Sequence, residues 1–149
     1  MSPEKIFSIC TTLVMPGWLL LIFLPRWRWT ARIIAACVLP LALSVVYVVI
    51  VAVHFGHSEG GFGSLAEVGQ LFRNPYNLLA GWIHYLAFDL FVGAWEVRDA
   101  QRLGIHHLLV VPCLALTFMF GPAGLLLYFL LRFTVARKFT VEECQHERA

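Results

Sequence analysis

Acidic, imidazole and phenolic side chains lie inside one membrane-length apolar segment, residues 77–99, which reads NLLAGWIHYLAFDLFVGAWEVRD. On a helix that turns about 100° per residue, its polar side chains fall within an arc of roughly 140°. They are Asn77, His84, Tyr85, Asp89, Glu96 and Asp99. Ionisable groups at membrane depth cost about 2.5–3.5 kcal/mol or more each, so they usually face a protein interior or a wet cavity. We therefore expect function on this polar face.

The opposite side of the same helix is apolar, and we expect it to face lipid. Its residues are Leu79, Ile83, Leu86, Ala87, Leu90, Ala94 and Val97. The pattern thus predicts a helix that separates lipid from a polar interior.

Asp89 has the strongest case for chemistry on the polar face. It lies near the middle of the segment, too far from either end for a short side chain to reach water easily. It would either hold two helices together or donate and accept a proton. His84, about 140° around the helix from Asp89, would pack or flank the same cavity. Tyr85 would donate a hydrogen bond to a ligand or to a backbone carbonyl. We take Asp89, His84 and Tyr85 as the candidate catalytic residues.

A second polar cluster is expected at the membrane edge, where Glu96 and Asp99 approach His106 and His107. Carboxylate and imidazole groups together could bind a divalent metal, which makes Glu96, Asp99 and His106 weak metal candidates. No H-x-x-x-H or E-x-x-H spacing is present. A solvated loop with arginine partners, Arg98 and Arg102, is the favoured interpretation. We predict neither a metal nor another cofactor.

The composition indicates one all-α domain that is integral to a membrane. Of the 149 residues, 60% are hydrophobic and 13% are charged, and the mean hydropathy is +0.77. A membrane span needs about 20 apolar residues. The apolar runs predict four transmembrane helices, at about 6–24, 31–55, 75–95 and 108–131, and a polar tail at 132–149. The first run also fits a signal peptide, but no small-residue cleavage pattern follows it, which favours an uncleaved span.

The remaining charge and cysteine patterns exclude other classes. A net charge of +2 without a basic cluster argues against nucleic-acid binding. The cysteines show no C-x-x-C spacing, so buried reduced thiols are favoured over disulfide or metal use. They are Cys10, Cys37, Cys113 and Cys144.

Basic residues are divided almost evenly between the two sides of a four-span arrangement. One side would carry Arg26, Arg28, Arg32, Arg98 and Arg102. The other would carry Lys5, Arg73, Arg132, Arg137, Lys138 and Arg148. The positive-inside rule therefore gives no clear orientation, although the first span alone slightly favours a cytoplasmic position for Glu96 and Asp99.

A short interfacial helix is predicted between the second and third spans. Ser64 and Glu67 have the spacing of a capping box, and apolar residues from Leu65 to Phe72 share one face. Asn74-Pro75 would end this segment and begin the next helix. A partner-binding amphipathic helix is the alternative.

Glycines mark places where helices or a ligand could approach closely. They are Gly81 and Gly93 in the third span and Gly121 and Gly124 in the fourth. Close helix packing is the first explanation. A long apolar ligand lying along a glycine-lined seam, beside Trp82, is the alternative, so we take Gly81, Trp82, Gly93, Gly121 and Gly124 as candidate substrate-binding residues.

Several stretches of the chain resemble the abscisic-acid-deficient-four-like membrane family. The first is Asn74-Pro75 followed by LAGWIHYLAFDLFVG at 79–93. The others are VRD at 97–99, GIH at 104–106, PC at 112–113 and LTFMFGPAGLL at 116–126. The resemblance covers essentially the whole chain and is sharpest from Leu65 to Tyr128.

This resemblance implies a role in carotenoid metabolism, because the family's plant members are implicated in forming neoxanthin in plastid membranes. A carotenoid or similar isoprenoid is the expected ligand. Converting violaxanthin to neoxanthin opens an epoxide while a proton leaves a neighbouring carbon, which needs an acid, a base and an apolar groove but no redox cofactor. Asp89 and His84 would supply the acid and base.

Two non-enzymatic classes stay open. One is a structural or interaction protein whose polar helix mediates assembly, with a homo-oligomer as one form. The other is a small proton-coupled transporter, which four spans leave little room for. The short chain without a recognisable transit peptide leads us to expect a bacterial inner membrane.

Overall fold

The computed structural model describes residues 1–27 and 29–137, and within those ranges it is helical with no strand. Its helices are α1 (Pro3–Phe23), α2 (Thr30–His54), α3 (Leu65–Leu71), α4 (Pro75–Arg102), α5 (His107–Phe120) and α6 (Pro122–Ala136), with one 3-10 turn at Phe55–His57. The first part of α2, Thr30–Val38, is wound as a π-helix. The predicted all-α class is confirmed. Cys144 and most of the predicted polar tail, residues 138–149, lie outside the described residues.

Helices α1, α2 and α4 are long and apolar enough to cross a membrane, in agreement with three of the predicted spans. Helices α1 and α4 run in the same direction. In the third turn of each, the Trp82 indole N–H donates to Thr11 Oγ1 at 3.2 Å. Beyond the end of α1, Gln101 Nε2 donates to the Pro25 carbonyl at 2.6 Å.

Helix α2 runs opposite to α4. At its end, the ring of His54 stacks on Tyr76, in the first turn of α4, with ring centroids 3.8 Å apart. At its start, the Ala31 carbonyl accepts a hydrogen bond from Arg98 at 2.5 Å. The three long helices therefore form an up–down–up arrangement.

The chain reverses at Gly121, between α5 and α6. Helix α5 runs back along α4, and Thr117 Oγ1 donates to Glu96 Oε1 at 3.0 Å. If α5 continued as one helix past Gly121, Tyr128 would lie about 10 Å beyond Gly121, further from the end of α4. The Tyr128 hydroxyl instead donates to Asp99 Oδ2 at 2.8 Å. Helices α5 and α6 thus form a hairpin whose tip lies beside the middle of α4.

The sequence predicts a single fourth span at 108–131, and the structure has two shorter helices there instead, so a fourth span is not confirmed. Gly121 has φ +45°, a region that glycine adopts without a Cβ penalty, and Pro122 lacks the N–H that would continue the ladder of α5. Helices α5 and α6 have 14 and 15 residues. Each is about 21–23 Å long, shorter than the roughly 30 Å hydrocarbon core of a bilayer.

The hairpin changes which side of the molecule carries the basic residues. The start of α1 and residues 55–74 lie on one side, here called the amino-terminal side, with Lys5 and Arg73. The ends of α4 and α6 share the other side, here called the basic side. Its described basic residues are Arg26, Arg32, Arg98, Arg102, Arg132 and Arg137. The even division expected for four spans is therefore wrong.

Helix α4 is the centre of the core, and the side that the sequence assigned to lipid is buried, whereas Leu78, Phe88 and Phe91 on its other side are exposed. The residues expected to face lipid are all buried, namely Leu79, Ile83, Leu86, Ala87, Leu90, Ala94 and Val97. Helices α1 and α2 cover this side, with contacts such as Leu90 against Gly17. The prediction assigned the apolar face to lipid because hydropathy alone does not distinguish lipid from neighbouring apolar helices.

The short helix α3 begins as the sequence predicts. Ser64 Oγ accepts a hydrogen bond from the backbone N–H of Glu67 at 3.2 Å. The Glu67 carboxylate accepts one from the Gly63 N–H at 3.1 Å. Asn74 caps α4 by accepting from the Tyr76 N–H at 2.9 Å.

Candidate functional site

Tyr85 and Asp89 lie one turn apart on α4 and face the tip of the hairpin. The Tyr85 hydroxyl donates to the Phe118 carbonyl, in the last turn of α5, at 2.7 Å. The Asp89 carboxyl group lies against Gly121, where an added Cβ would be 2.9 Å from Oδ1. Asp89 Oδ2 is buried and has no hydrogen-bond partner among the described residues. Tyr85 and Asp89 also interact electrostatically with each other, so a phenol and a carboxyl group meet at this tip.

An apolar groove of about 670 Å³ extends from the amino-terminal side to Tyr85. The first turns of α1 and α4 form its walls, and Glu4 is the one charged side chain that lines it in the described part of the chain. Gly81 and Trp82 line it together with Phe7, whose ring lies 5.4 Å from that of Trp82. Its shape and lining suit the end of a long apolar molecule, with the phenol of Tyr85 at the inner end.

His84 faces away from this groove. Its side chain is exposed and its ring stacks on Phe88, with ring centroids 4.4 Å apart. The ring of Tyr47, on α2, lies 5.9 Å away on the other side. His84 lines a separate cavity of about 470 Å³ between α2 and α4. The structure thus brings Tyr85 and Asp89 together and leaves His84 apart.

Asp99 is the centre of a buried polar network between α4 and α6. Its Oδ1 accepts from Arg102 at 2.6 Å, and its Oδ2 lies 2.8 Å from Arg132 Nε. The Tyr128 hydroxyl donates to the same Oδ2. Arg132 and Tyr128 are fully buried. Two guanidinium groups therefore neutralise one carboxylate inside the protein.

Glu96 is the other buried carboxyl group of α4, and none of its described contacts is with a cation. Thr117 Oγ1 donates to its Oε1, whereas Oε2 is buried without a hydrogen-bond partner among the described residues. Glu96 is 0% exposed and Asp99 is 4% exposed. The expectation that both lie in a solvated loop is wrong, because the returning hairpin covers this end of α4.

Comparison with known proteins assigns this arrangement of helices to a family. The model of the ABA DEFICIENT 4-like family matches residues 5–128, which include α4, the hairpin tip and Tyr128. The chain belongs to the ABA DEFICIENT 4-like family. The resemblance predicted from the sequence is confirmed.

A plant member of the family shows how far the similarity extends. The chain is 22% identical over 146 residues to the protein ABA DEFICIENT 4, chloroplastic, of Arabidopsis thaliana. The alignment covers 91% of this chain and 64% of the plant protein, so the chain spans just under two thirds of that relative's length. No solved structure matches the fold.

The weak metal candidates of this family member do not form a common site. Glu96 and Asp99 turn towards the hairpin, whereas the exposed His106 lines a cavity between the ends of α1 and α4. Within residues 1–27 and 29–137, no three His, Cys, Asp or Glu side chains are placed to hold a metal ion. The clustering of Glu96, Asp99 and His106 at the membrane edge is therefore wrong.

The candidate glycines do not line one continuous seam. Gly81 lines the apolar groove beside Trp82. Gly93 is covered by Trp18, because an added Cβ would lie 2.8 Å from the indole ring. Gly124 packs directly on Thr117, across the hairpin, and Gly121 forms the turn against Asp89. Gly81 and Trp82 thus line an open space, whereas Gly93 and Gly124 serve helix packing and Gly121 forms the turn.

Thr30, Thr117, Tyr128 and Arg132 are buried polar residues that sequence reasoning missed. Arg132 was assigned to the polar tail, although α6 continues to Ala136. The available signal was the spacing of Tyr128 and Arg132, four residues apart on one helical face directly after an apolar run.

Proposed function

We propose that this chain is an integral membrane protein that acts on a carotenoid or a related isoprenoid by acid–base isomerisation at Tyr85 and Asp89. The observation that carries the proposal is the apolar groove that ends at Tyr85, beside Asp89. Family membership supports the substrate class, because plant members are implicated in neoxanthin formation. Three helices long and apolar enough to cross a membrane support the setting.

The chemistry requires one proton to leave carbon and one to reach oxygen. In opening an epoxide to an alcohol, the Asp89 carboxylate would take a proton from the carbon next to the ring. The C–H electron pair would form a new double bond as the C–O bond breaks. Tyr85 would donate its hydroxyl proton to the released oxygen, and transfer from Asp89 back to Tyr85 would restore both groups. No redox cofactor enters this balance.

The position of the two groups supports these roles. Asp89 Oδ2 has no described partner, so it is available to accept a proton. The Tyr85 hydroxyl donates to a backbone carbonyl, and a substrate oxygen would replace that acceptor. His84 lines the other cavity, so Tyr85 takes the second role in this proposal.

Pigment analysis with matched variants tests the proposal. The gene is deleted and the strain is complemented with the wild-type chain, Asp89→Asn, Tyr85→Phe or Glu59→Gln. Glu59 is exposed outside the groove and serves as the control. We expect an altered carotenoid or isoprenoid profile on deletion, restored by wild type and Glu59→Gln and not by the other two at equal folded yield. An unchanged profile on deletion would exclude the proposal.

A non-catalytic role in assembly is the second candidate, and the network around Asp99 favours it. That network uses four polar residues of α4 and α6 for internal contacts. For this role, deletion would leave pigments unchanged, and Asp89→Asn would alter folding or association only. Chemical cross-linking in the native membrane would reveal a homo-oligomer, and cell fractionation would test our proposed location in a bacterial inner membrane.

A further inference from the structure

A cavity of about 870 Å³ opens on the basic side, where α1 ends and α4 connects to α5. It lies at the opposite end of α1 from the apolar groove. Apolar side chains such as Phe23 and Leu108 form part of its wall, and Arg26 and His106 lie beside them. The cavity therefore combines an apolar surface with a guanidinium group and an imidazole at the level where the long apolar helices end.

Two carbonyl groups beside this cavity accept hydrogen bonds from side chains. The ring Nε2 of His107 lies 2.9 Å from the Ile22 carbonyl, to which it donates. Gln101 Nε2 donates to the Pro25 carbonyl at 2.6 Å. Because these two acceptors are engaged, neither presents a free carbonyl oxygen to the cavity.

The donors of Arg26 and His106 are, by contrast, not engaged. Neither side chain makes a hydrogen bond or an ion pair within the described part of the chain. Among the described residues, no Asp or Glu lines the cavity. The surplus of donors and positive charge fits an anion, and the guanidinium group is well suited to phosphate.

We propose that this cavity binds the phosphate headgroup of an anionic phospholipid. Arg26 and His106 would hold the phosphate, and the side chains of Phe23 and Leu108 would contact the glycerol and upper acyl chain. The apolar part of the wall favours a lipid over free phosphate, because an inorganic ion would leave that surface uncovered. The Trp27 indole, which also lines the cavity, is a side chain typical of membrane interfaces. The site is independent of the proposed isomerase.

Lipid titration of the purified full chain in neutral detergent tests this site. Native mass spectrometry would measure binding of phosphatidylglycerol and of phosphatidylcholine to the wild type, Arg26→Gln and His106→Gln. We expect phosphatidylglycerol to bind more tightly. Arg26→Gln should weaken that binding about fivefold, the equivalent of about 1 kcal/mol for one basic residue near an anionic lipid. His106→Gln should cause a smaller loss in the same direction.

Arg73→Gln, on the amino-terminal side, is the matched control and should leave binding unchanged. Equal affinity for the two lipids, or an equal loss in Arg73→Gln, would overturn the proposal. Displacement of phosphatidylglycerol by millimolar inorganic phosphate would show that the phosphate group alone is recognised, and would overturn the assignment to a lipid. Retention of the lipid under phosphate would support it.

Discussion

Tyr128 donates its hydroxyl hydrogen to Oδ2 of Asp99 at 2.8 Å, although 29 residues separate them in the chain. This bond forms because α6 turns back at Gly121 and runs beside the last turns of α4. The same carboxylate holds Arg132, one turn further along α6. Asp99 therefore fixes the returning arm of the hairpin, and its burial follows from that position.

The hairpin predicts that the two ends of the described chain lie on opposite sides of the membrane. Single cysteines introduced as Glu59→Cys and Arg137→Cys, with the native cysteines replaced by alanine, should react with a membrane-impermeant thiol reagent from opposite sides. A fourth complete span would place both positions on the same side. Labelling of both from one side of intact vesicles would contradict the hairpin.

The absolute orientation follows from the distribution of basic residues. Six described arginines lie on the basic side, against Lys5 and Arg73 on the other. The positive-inside rule therefore predicts that the basic side faces the cytoplasm. A reporter active only in the cytoplasm should function when fused after Arg137 and not when fused before Pro3. The opposite pattern would contradict this orientation.

Replacing Arg132 should strongly destabilise the protein. Arg132→Leu leaves a buried carboxylate with one partly exposed arginine, and the loss of one partner of a buried ion pair costs about 3–5 kcal/mol. Denaturant unfolding in detergent would measure this change. Arg137→Leu, at the exposed end of the same segment, should change stability by less than about 0.5 kcal/mol. Equal effects of the two variants would show that the ion pair is unimportant.

Much of the fold could be predicted from hydropathy, and the hairpin could not. The spans at 6–24, 31–55 and 75–95 correspond to α1, α2 and the main part of α4. The run at 108–131 is equally apolar, so its length predicted a crossing. Gly121-Pro122 could either kink a helix or reverse the chain. The outcome depends on the contact between Tyr128 and Asp99, which are distant in sequence.

Part of the candidate site could also be predicted from the sequence. Helical periodicity placed Tyr85 and Asp89 on one side of α4, and they do meet at the hairpin tip. His84, adjacent to Tyr85 in sequence, lies about 100° away and reaches the other cavity. Periodicity gives the direction in which each side chain leaves the helix. It does not say which neighbouring element packs against that side.

The turn at Gly121 should be sensitive to any side chain, and Gly104 provides a matched control. Both glycines have positive φ, +45° and +70°, so alanine should strain each backbone, and more so at Gly121, whose ψ of −94° lies outside the left-handed helical region. At Gly121 the new Cβ would also lie 2.9 Å from Asp89 Oδ1, whereas at Gly104 it meets no atom within 4 Å. We expect Gly121→Ala to lower the unfolding free energy more than Gly104→Ala.

The double variant Gly121→Ala/Asp89→Ala isolates the contact between turn and carboxyl group. Removing the carboxyl group removes the clash, so the penalty of Gly121→Ala should be smaller in the Asp89→Ala background than in the wild type. Denaturant unfolding of the four proteins would measure the coupling. An equal penalty in both backgrounds would mean that only backbone strain matters at Gly121.

The two buried acids of α4 should respond differently to conversion into amides. Asp99→Asn removes the charge that two arginines surround, so it should lower the free energy of unfolding by about 3–5 kcal/mol. Glu96→Gln removes a carboxyl group whose described contacts include no cation, and its side-chain carbonyl can still accept from Thr117. Its cost should stay below about 1.5 kcal/mol, the net value of one hydrogen bond. Unfolding of both variants measured in one detergent would test the difference. A larger loss for Glu96→Gln would mean that Glu96, rather than Asp99, carries the charge that stabilises the hairpin.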